Sequence, residues 1–283
     1  MRYLIILLLL LSWQINAEPA PECPQSAQCV EEQRLYLSWA LGYGQRSNPL
    51  YGGEELPLVI LPDIYYYGRY WFFDNGTLGY SWTLTNNVQL SAISLLNEEK
   101  GYFRRHHLSN VFTQQVSGNY GLMGPAQKSQ QNIELSIADQ AKRPTAVDAG
   151  WQLDWFTPTI QWKLNWLHDV SGQYHGQHAG IAASHGWQNQ LGHWQVSSAL
   201  NWKSSQLITK YYAVDAMTTA KIDRLGDSWQ PELKLSWSYP LTSDWSMLAF
   251  YRYRWLDEAI TNSPLVAENS VRSWFVGVSY RFL

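Results

Sequence analysis

The sequence predicts an all-β fold, a transmembrane antiparallel β-barrel of about 12 strands (roughly 10–12). Large apolar residues alternate with small or polar ones along many segments, which places the two kinds on opposite faces of a strand. Most segments run for about nine to twelve residues, enough for a tilted strand to cross a bilayer, whereas strands of soluble proteins average about five or six. Short turns such as Thr157-Pro158 alternate with long polar stretches such as 204–228, as the two ends of a membrane barrel do.

The N-terminus has the features of a cleaved secretory signal peptide, which we assign to residues 1–17. Arg2 precedes the apolar run 4–11, and the small residue Ala17 provides a cleavage point. A positive start, a short apolar core and a small residue at the end are typical of such peptides, and the run is too short for a spanning helix. The sequence therefore predicts that the mature chain is exported.

The tail that follows, residues 18–33, is predicted to be periplasmic and contains both cysteines of the chain. Cys23 and Cys29 lie close together in sequence, and thiols of exported proteins meet an oxidising compartment. They could form a small disulfide loop that acts as a local staple. The barrel itself is then expected to occupy residues 34–283.

Eleven segments of the barrel region have the alternating pattern, although single-chain bacterial barrels use an even number of strands. A twelfth strand could lie in the long loop region 97–148, within "NVFTQQV" or "NIELSIA". Alternatively, a break at Asn75-Gly76 could divide the segment 70–84 into two strands. Closure is required in either case, because an open sheet edge in lipid would leave backbone groups unpaired. The predicted strands cover residues 34–44, 56–67, 70–84, 88–97, 149–156, 159–168, 177–187, 193–203, 229–239, 243–255 and 271–282.

The two faces of these segments differ in a way that indicates which one contacts lipid. The apolar faces tend to begin and end in Trp or Tyr, as in Trp194 to Trp202 and Trp245 to Trp255, and such rings favour the headgroup layer. Cations fall on the opposite face, and each would cost about 2–4 kcal/mol if it faced lipid at the bilayer midplane. We therefore predict a wet lumen lined by the charges of Lys163, Lys203, Lys234, Arg252 and Arg254.

Composition and motifs argue against nucleic-acid binding and catalysis. The formal charge is −3 and only 15% of residues are charged, so the basic surface of a nucleic-acid-binding protein is missing. His175 and His178 have a ligand-like spacing, but no Cys lies near them, and we interpret them as polar loop residues without a metal or cofactor. Ser184 and His185 are neighbours on one predicted strand and so face opposite sides, which prevents a nucleophile–base pair. Ser171 lies in a loop near His175, where geometry cannot be inferred.

Two further clusters leave alternatives open. The loop sequence Arg104-Arg105-His106-His107 predicts a basic patch, which could contact lipopolysaccharide phosphates or be only a solvated loop. The aromatic runs Tyr65-Tyr66-Tyr67 and Tyr70-Trp71-Phe72-Phe73 could form a platform on which sugars stack, although an interfacial belt or a turn packed with aromatic rings is the simpler interpretation.

Four stretches of the chain resemble the MipA/OmpV family of outer-membrane proteins. They are "NPLYGGEELPLVILPDIYYYGRYWFF", "HDVSGQYHGQHAGI", "YYAV" and "NSPLVAENSVRSWFVGVSYRF", and with the hairpins between them the likeness extends over nearly all of the mature chain. The "DVSG…HG" and "SPLV…YRF" pieces are the most specific. They contain a family-motif loop of Asp169, Val170, Ser171, Gly172, His175 and Gly176, and a terminal strip of Trp274, Val276, Val278, Tyr280 and Phe282.

The resemblance implies a non-enzymatic barrel in the outer membrane of a Gram-negative bacterium. Its expected surroundings are outer-membrane lipid and lipopolysaccharide, and the terminal strip is expected to be the signal that the barrel-assembly machinery reads. The family's namesake is similar to a scaffold that brings a lytic transglycosylase together with a penicillin-binding protein. The resemblance thus implies a link to murein remodelling, with a small pore, an adhesin or an antibiotic-responsive surface protein as the alternatives.

Overall fold

The computed structural model describes residues 32–103, 110, 143–213 and 225–282. Several sequence-based expectations lie outside these residues. They are the signal peptide, the Cys23–Cys29 disulfide, the candidate strand "NIELSIA", the candidate strand "NVFTQQV" beyond Asn110, and the basic patch of residues 104–107.

The described chain forms a closed antiparallel barrel of twelve strands, in which each strand pairs with the next and the last pairs with the first. This confirms the predicted fold class and strand number. The strands are β1 (Arg34–Arg46), β2 (Leu56–Tyr67), β3 (Trp71–Asp74), β4 (Thr77–Thr85), β5 (Val88–Leu96), β6 (Val147–Phe156), β7 (Gln161–Asp169), β8 (Gln177–Asn189), β9 (Gly192–Lys203), β10 (Ser228–Pro240), β11 (Trp245–Trp255) and β12 (Ser270–Arg281). Most predicted boundaries agree with these to within about two residues.

Three short helices accompany the strands in the described part of the chain. They are α1 (Lys100–Phe103), α2 (Ser205–Tyr212) and α3 (Glu258–Thr261). All three belong to connections at the end of the barrel that carries the long loops. None of the helices that the structure describes is long and apolar enough to cross a membrane.

The strand missing from the predicted set results from a turn at Asn75-Gly76, which divides the predicted segment 70–84 into β3 and β4. Both residues have positive φ, 45° and 90°, as a tight two-residue hairpin turn requires. Asn75 also fastens the turn to β2, because its side-chain oxygen accepts from the Ile64 amide at 3.0 Å and its nitrogen donates to Asp63 at 2.7 Å. The turn shifts the alternation by one residue, because Trp71 and Phe73 of β3 lie opposite Tyr80 and Leu78 of β4 on the same face of the sheet. β3 has only four residues, too few to show a separate alternating pattern in the sequence.

The barrel closes where the C-terminal strip meets the first strand. β12 runs antiparallel to β1, and Leu41 lies opposite Val278. Glycine allows an especially close approach here, because a Cβ atom on Gly42 would lie 2.2 Å from the carbonyl oxygen of Val276 and 2.6 Å from the Phe275 ring. The large ring of Phe275 fills the space that the glycine leaves, and the seam is tightly packed.

The outer face of the barrel is a continuous apolar belt, whereas the inner face is of two kinds. Outward side chains such as Tyr43 and Val276 are 67% and 51% exposed. The inner face was predicted to be polar, and this is wrong for strands β1, β2, β11 and β12, where a buried apolar cluster fills the interior. The cluster consists of Ala40, Leu58, Leu61, Leu248, Phe250 and Phe275. One side of the lumen is therefore occupied by packed side chains rather than by water.

Candidate functional site: the closed mouth of the barrel

The end of the barrel with the long loops is closed by a buried hydrophobic layer, which we call the mouth plate. The centre of the plate is α2, whose sequence SQLITKYY buries Leu207, Ile208, Tyr211 and Tyr212 almost completely. These positions recur at the spacing that places side chains on one side of a helix. The members of the plate are Leu50, Tyr102, Phe103, Ala146, Tyr174, Leu207, Ile208, Tyr211, Tyr212, Leu256, Ile260, Leu265, Val266 and Val271.

The plate draws its residues from every long connection of the barrel that the structure describes. Phe103 of α1 has its ring centroid 5.8 Å from that of Tyr212, and Tyr174 of the β7–β8 loop lies 6.3 Å from Tyr211. Leu50 of the β1–β2 loop forms an isolated bridge with Val266 of the β11–β12 loop. The loops therefore pack on one another as a common core across the opening.

An ionic cluster, which we call the latch, lies at the same end of the barrel and joins opposite parts of the wall. Glu98 and Glu99 follow β5, and they meet cations at the ends of β9 and β11. Lys203 Nζ is 3.1 Å from Glu98 Oε1 and also contacts Glu99, while Arg254 Nη1 is 2.6 Å from Glu98 Oε1. Arg254 Nε also donates to Glu232 Oε2 at 2.8 Å. The latch thus fixes the segment after β5 to the far side of the barrel.

The electrostatics of the latch explain how acidic side chains stay ionised in a buried place. Burial opposes the ionisation of Glu98, but the charges of Arg254 and Lys203 outweigh it and hold the pKa of that carboxyl well below its usual value. Tyr212 donates its hydroxyl hydrogen bond to Glu99. Burial and the negative charge of Glu99 raise the pKa of the Tyr212 phenol well above its usual value, so it remains a donor. Latch and plate are therefore joined through this hydrogen bond.

The lowered pKa of Glu98 predicts that the latch weakens in acid. A carboxyl whose pKa is lower in the folded state stabilises the fold above its unfolded pKa, near 4.5, and this contribution is lost as the pH falls through the folded pKa. We expect the unfolding free energy, measured in detergent by urea titration, to fall over this acidic range. Glu98→Gln should flatten the profile there, and an unchanged acid slope in this variant would contradict the assignment.

The family-motif loop forms a compact turn around one carboxylate. Asp169, the last residue of β7, accepts from the Ser171 amide at 2.9 Å and the Ser171 hydroxyl at 2.7 Å with one oxygen, and from the amides of Tyr174 at 2.6 Å and His175 at 2.9 Å with the other. Gly172 and His175 have φ of 66° and 54°, which the sharp turn requires. The motif residues thus shape the loop that delivers Tyr174 to the mouth plate.

A second carboxylate links the same loop to the barrel wall. Asp148 of β6 is fully buried and accepts from the Tyr174 hydroxyl at 2.6 Å and from the Asn97 amide at 2.6 Å. His178 Nε2 of β8 lies 2.9 Å from the same carboxylate. Buried polar groups of this kind are costly to leave unpaired, and the network fixes the β5, β6 and β8 ends in one arrangement.

Replacement of Asp169 by alanine should loosen the motif loop without unfolding the barrel. Three backbone amides and one hydroxyl lose their shared acceptor, and each unsatisfied group costs about 1–3 kcal/mol where water cannot replace the acceptor. We expect faster hydrogen exchange at Tyr174 and His175, with strand amides unchanged. Gln173→Ala is the matched control, because among the described residues the Gln173 side chain donates only to the Ser171 carbonyl, at 3.2 Å. Equal exchange rates in the two variants would contradict this role.

The cations that the sequence places in the lumen all lie on the inner face of the barrel, but they differ in surroundings. Lys203 and Arg254 belong to the latch, and Arg252 Nε is 3.3 Å from Glu232 Oε1. Lys234 is buried beside the Phe250 ring, with Nζ 5.8 Å from its centroid, whereas Lys163 is half-buried opposite Asp154. The alternating pattern does not predict Glu98, Glu99 and Glu232 as the acidic partners of these cations, although the pair Glu98-Glu99 directly after a strand pattern is a visible signal.

The terminal strip and the tyrosine run both belong to the barrel wall, in β12 and β2. The terminal strip lies in β12, with Phe282 just beyond its end, and Trp274 packs edge-on against Tyr43 at 5.5 Å between ring centroids. Tyr65 and Tyr67 point inward and Tyr66 points outward, following the alternation of β2. The ring of Tyr65 stacks on that of Tyr36, with 4.8 Å between the ring centroids. Among the described residues, no group of three or more His, Cys, Asp or Glu is arranged to hold a metal ion.

A closed antiparallel barrel with an apolar outer belt and an occluded mouth defines a β-barrel protein of the outer membrane. The chain belongs to the family described as MltA-interacting protein MipA, whose profile matches residues 41–282. It lies in the outer membrane, and the family is Gram-negative. The resemblance inferred from the sequence is thereby confirmed.

Two curated relatives match part of the chain. The MltA-interacting proteins of Escherichia coli (strain K12) and Shigella flexneri are each 28% identical over 127 residues, which cover 44% of this chain and 44% of the relative. The match therefore spans less than half the length of these relatives. Among solved structures, the NanC porin is 12% identical with a TM-score of 0.41, covering 87% of this chain and 100% of the porin chain.

Proposed function

We propose that this protein is a non-enzymatic scaffold of the outer membrane that holds murein-remodelling enzymes at the periplasmic end of its barrel. Membership of the MltA-interacting protein family supports a partner among these enzymes. The partners that we expect are a lytic transglycosylase and a penicillin-binding protein. The single observation that carries the proposal is the closed mouth, since a barrel filled by its own plate and latch is unsuited to passing solutes.

The side chains that could have formed a catalytic pair are engaged elsewhere, which supports the absence of enzymatic activity in this proposal. The Ser184 hydroxyl lies 2.8 Å from the Ser197 hydroxyl, and His185 Nδ1 lies 2.6 Å from the Thr159 carbonyl. The Ser171 hydroxyl donates to Asp169 and accepts from the Val147 amide. A nucleophile needs a base within hydrogen-bond reach, and none of these serines is paired with an imidazole.

The periplasmic end offers a surface for partners that differs from the closed mouth. In outer-membrane barrels the short turns face the periplasm, and here two of them present large apolar side chains. Leu191 in the β8–β9 turn and Leu241 in the β10–β11 turn are 67% and 50% exposed. The two turns are neighbours on the rim, because β8 to β11 are consecutive in the barrel. We propose that this rim is where a murein enzyme docks.

Immobilised barrel in detergent tests the proposal directly when it is mixed with purified lytic transglycosylase and penicillin-binding protein. We expect retention of both enzymes, and a loss of about tenfold or more in the Leu191→Asp/Leu241→Asp double variant, as for the core of an interface. Asn262→Asp is the control, because Asn262 is exposed at the opposite end. Retention of neither enzyme by the unmodified barrel would refute the scaffold, whereas equal retention by all variants would refute the docking rim alone.

A further inference from the structure

One cation of the barrel wall faces the opposite way from all others. Every other Lys or Arg in the described strands alternates onto the inner face, following the registers of β1, β7, β9, β10, β11 and β12. Arg272 of β12 shares its face with Trp274 and Val276, which belong to the outer belt. Its side chain is 52% exposed. An outward guanidinium on a lipid-facing wall calls for a specific explanation, because such positions normally exclude charge.

The height of Arg272 on the wall explains how the charge is tolerated. Arg272 lies near the mouth end of β12, directly opposite Tyr253 of β11, and the next outward pair towards the mouth is Trp255 and Ser270. Trp and Tyr at this height mark the headgroup layer of a bilayer. The short turns face the periplasm, so this layer is the outer leaflet. Arg272 therefore sits among headgroups rather than among acyl chains.

Arg272 also lines a pocket in the outer wall, which we call the rim pocket. The pocket has a volume of about 540 Å³, within the range of small-molecule sites. Tyr253 forms one side, and the β11–β12 loop covers it through Thr261, Val266 and Glu268–Ser270. The backbone is held firmly here, since Arg272 exchanges hydrogen bonds with Ser47 through its amide at 2.9 Å and its carbonyl at 2.8 Å.

The side chains of the rim pocket suit a phosphorylated sugar. Arg272 Nη2 is 3.1 Å from Glu268 Oε2, a pair that is exposed on both sides and therefore weak. A guanidinium has five N–H donors in a fork that matches phosphate, so phosphate can compete with the exposed carboxylate. Asn269 supplies an amide and Tyr253 an aromatic ring beside it, and these groups serve sugar hydroxyls and ring faces.

We propose that the rim pocket binds the phosphorylated glucosamine headgroup of the outer-leaflet glycolipid, lipopolysaccharide. Arg272 is the residue that binds the phosphate, and Glu268 is a competing anion that holds the guanidinium in place when the pocket is empty. The proposal commits to a lipid-borne headgroup, because Arg272, Tyr253 and Trp255 open towards the bilayer side of the wall rather than towards the lumen. It is independent of the scaffold function.

Native mass spectrometry of the purified full-length protein in detergent, titrated with lipid A, tests this site. We expect Arg272→Ala to weaken lipid A binding about tenfold or more, as loss of a charge-assisted phosphate contact does. Glu268→Gln should instead strengthen it severalfold, because the competing carboxylate is removed. Arg69→Ala is the matched control, since Arg69 is exposed in the β2–β3 turn at the periplasmic end and should leave binding unchanged.

Titrations with three further ligands identify the source of the phosphate. Dephosphorylated lipid A, phosphatidylglycerol and inorganic phosphate should each bind at least about tenfold more weakly than lipid A. Equal binding of phosphatidylglycerol or inorganic phosphate would overturn the glycolipid assignment, and equal binding of dephosphorylated lipid A would overturn the role of the phosphate. Unchanged lipid A binding by folded Arg272→Ala, with native strand content by circular dichroism, would overturn the site itself.

Discussion

Replacement of Lys203 by methionine is expected to lower the unfolding free energy of the barrel by about 3–5 kcal/mol, as removal of one partner from a buried ion pair does. Lys203 is 5% exposed and contacts both Glu98 and Glu99. Methionine has similar bulk but no charge, so Glu99 would be left buried with only the Tyr212 hydroxyl as its partner in the described part of the latch. Urea unfolding in detergent, followed by tryptophan fluorescence, measures the loss.

Two further variants separate this effect from a general loss of packing. Glu99→Gln in the Lys203→Met background should recover most of the lost stability, because removal of both charges of a buried pair is close to neutral. Lys210→Met changes an exposed lysine of α2 and should stay within about 0.5 kcal/mol of the unmodified protein. A double variant no more stable than Lys203→Met would contradict the ionic account of the latch.

Replacement of Leu235 by arginine is expected to cost about 2–4 kcal/mol, the penalty for a cation on the lipid face near the midplane. Leu235 is 42% exposed and lies midway along β10, between Val196 of β9 and Tyr251 of β11 on the outer face. Unfolding in lipid vesicles by urea titration gives the value. The matched control Asn262→Arg, at an exposed position of the β11–β12 loop, should change stability by no more than about 0.5 kcal/mol.

The difference in unfolding free energy between Leu235→Arg and Asn262→Arg shows whether the outer face contacts lipid. If the belt contacted water instead of hydrocarbon, Leu235→Arg would cost no more than Asn262→Arg. Equal unfolding free energies for the two variants in vesicles would therefore contradict the assignment of the outer face to lipid.

The barrel itself could be predicted from the sequence because a membrane strand shows its two environments at every second residue. In β9 and β11 most outward side chains are large and apolar, and the inward ones include Lys203, Arg252 and Arg254. The positive φ that Asn and Gly adopt readily explains the break at Asn75-Gly76. These signals are local, so one sequence is sufficient to detect them.

The closure of the mouth could not be predicted because it depends on contacts between residues far apart in the chain. Arg254 and Glu98 are 156 positions apart. The local sequence around either residue does not indicate that the two form an ion pair. The plate helix α2 lies within a stretch that was assigned to a polar loop, although SQLITKYY has an amphipathic spacing. Leu248 and Phe250 alternate onto the inner face of β11, and only the curvature of the barrel brings them together with Phe275 and Leu58.

Single-channel conductance in a planar lipid bilayer tests the central claim, that this barrel is closed at its mouth. The purified protein would be inserted at controlled orientation, with a general porin as the positive control in the same membrane. We expect no stable conductance steps from the unmodified barrel at neutral pH, because plate and latch fill the passage. Uniform, long-lived steps from the unmodified protein would contradict the closed mouth and favour a diffusion pore.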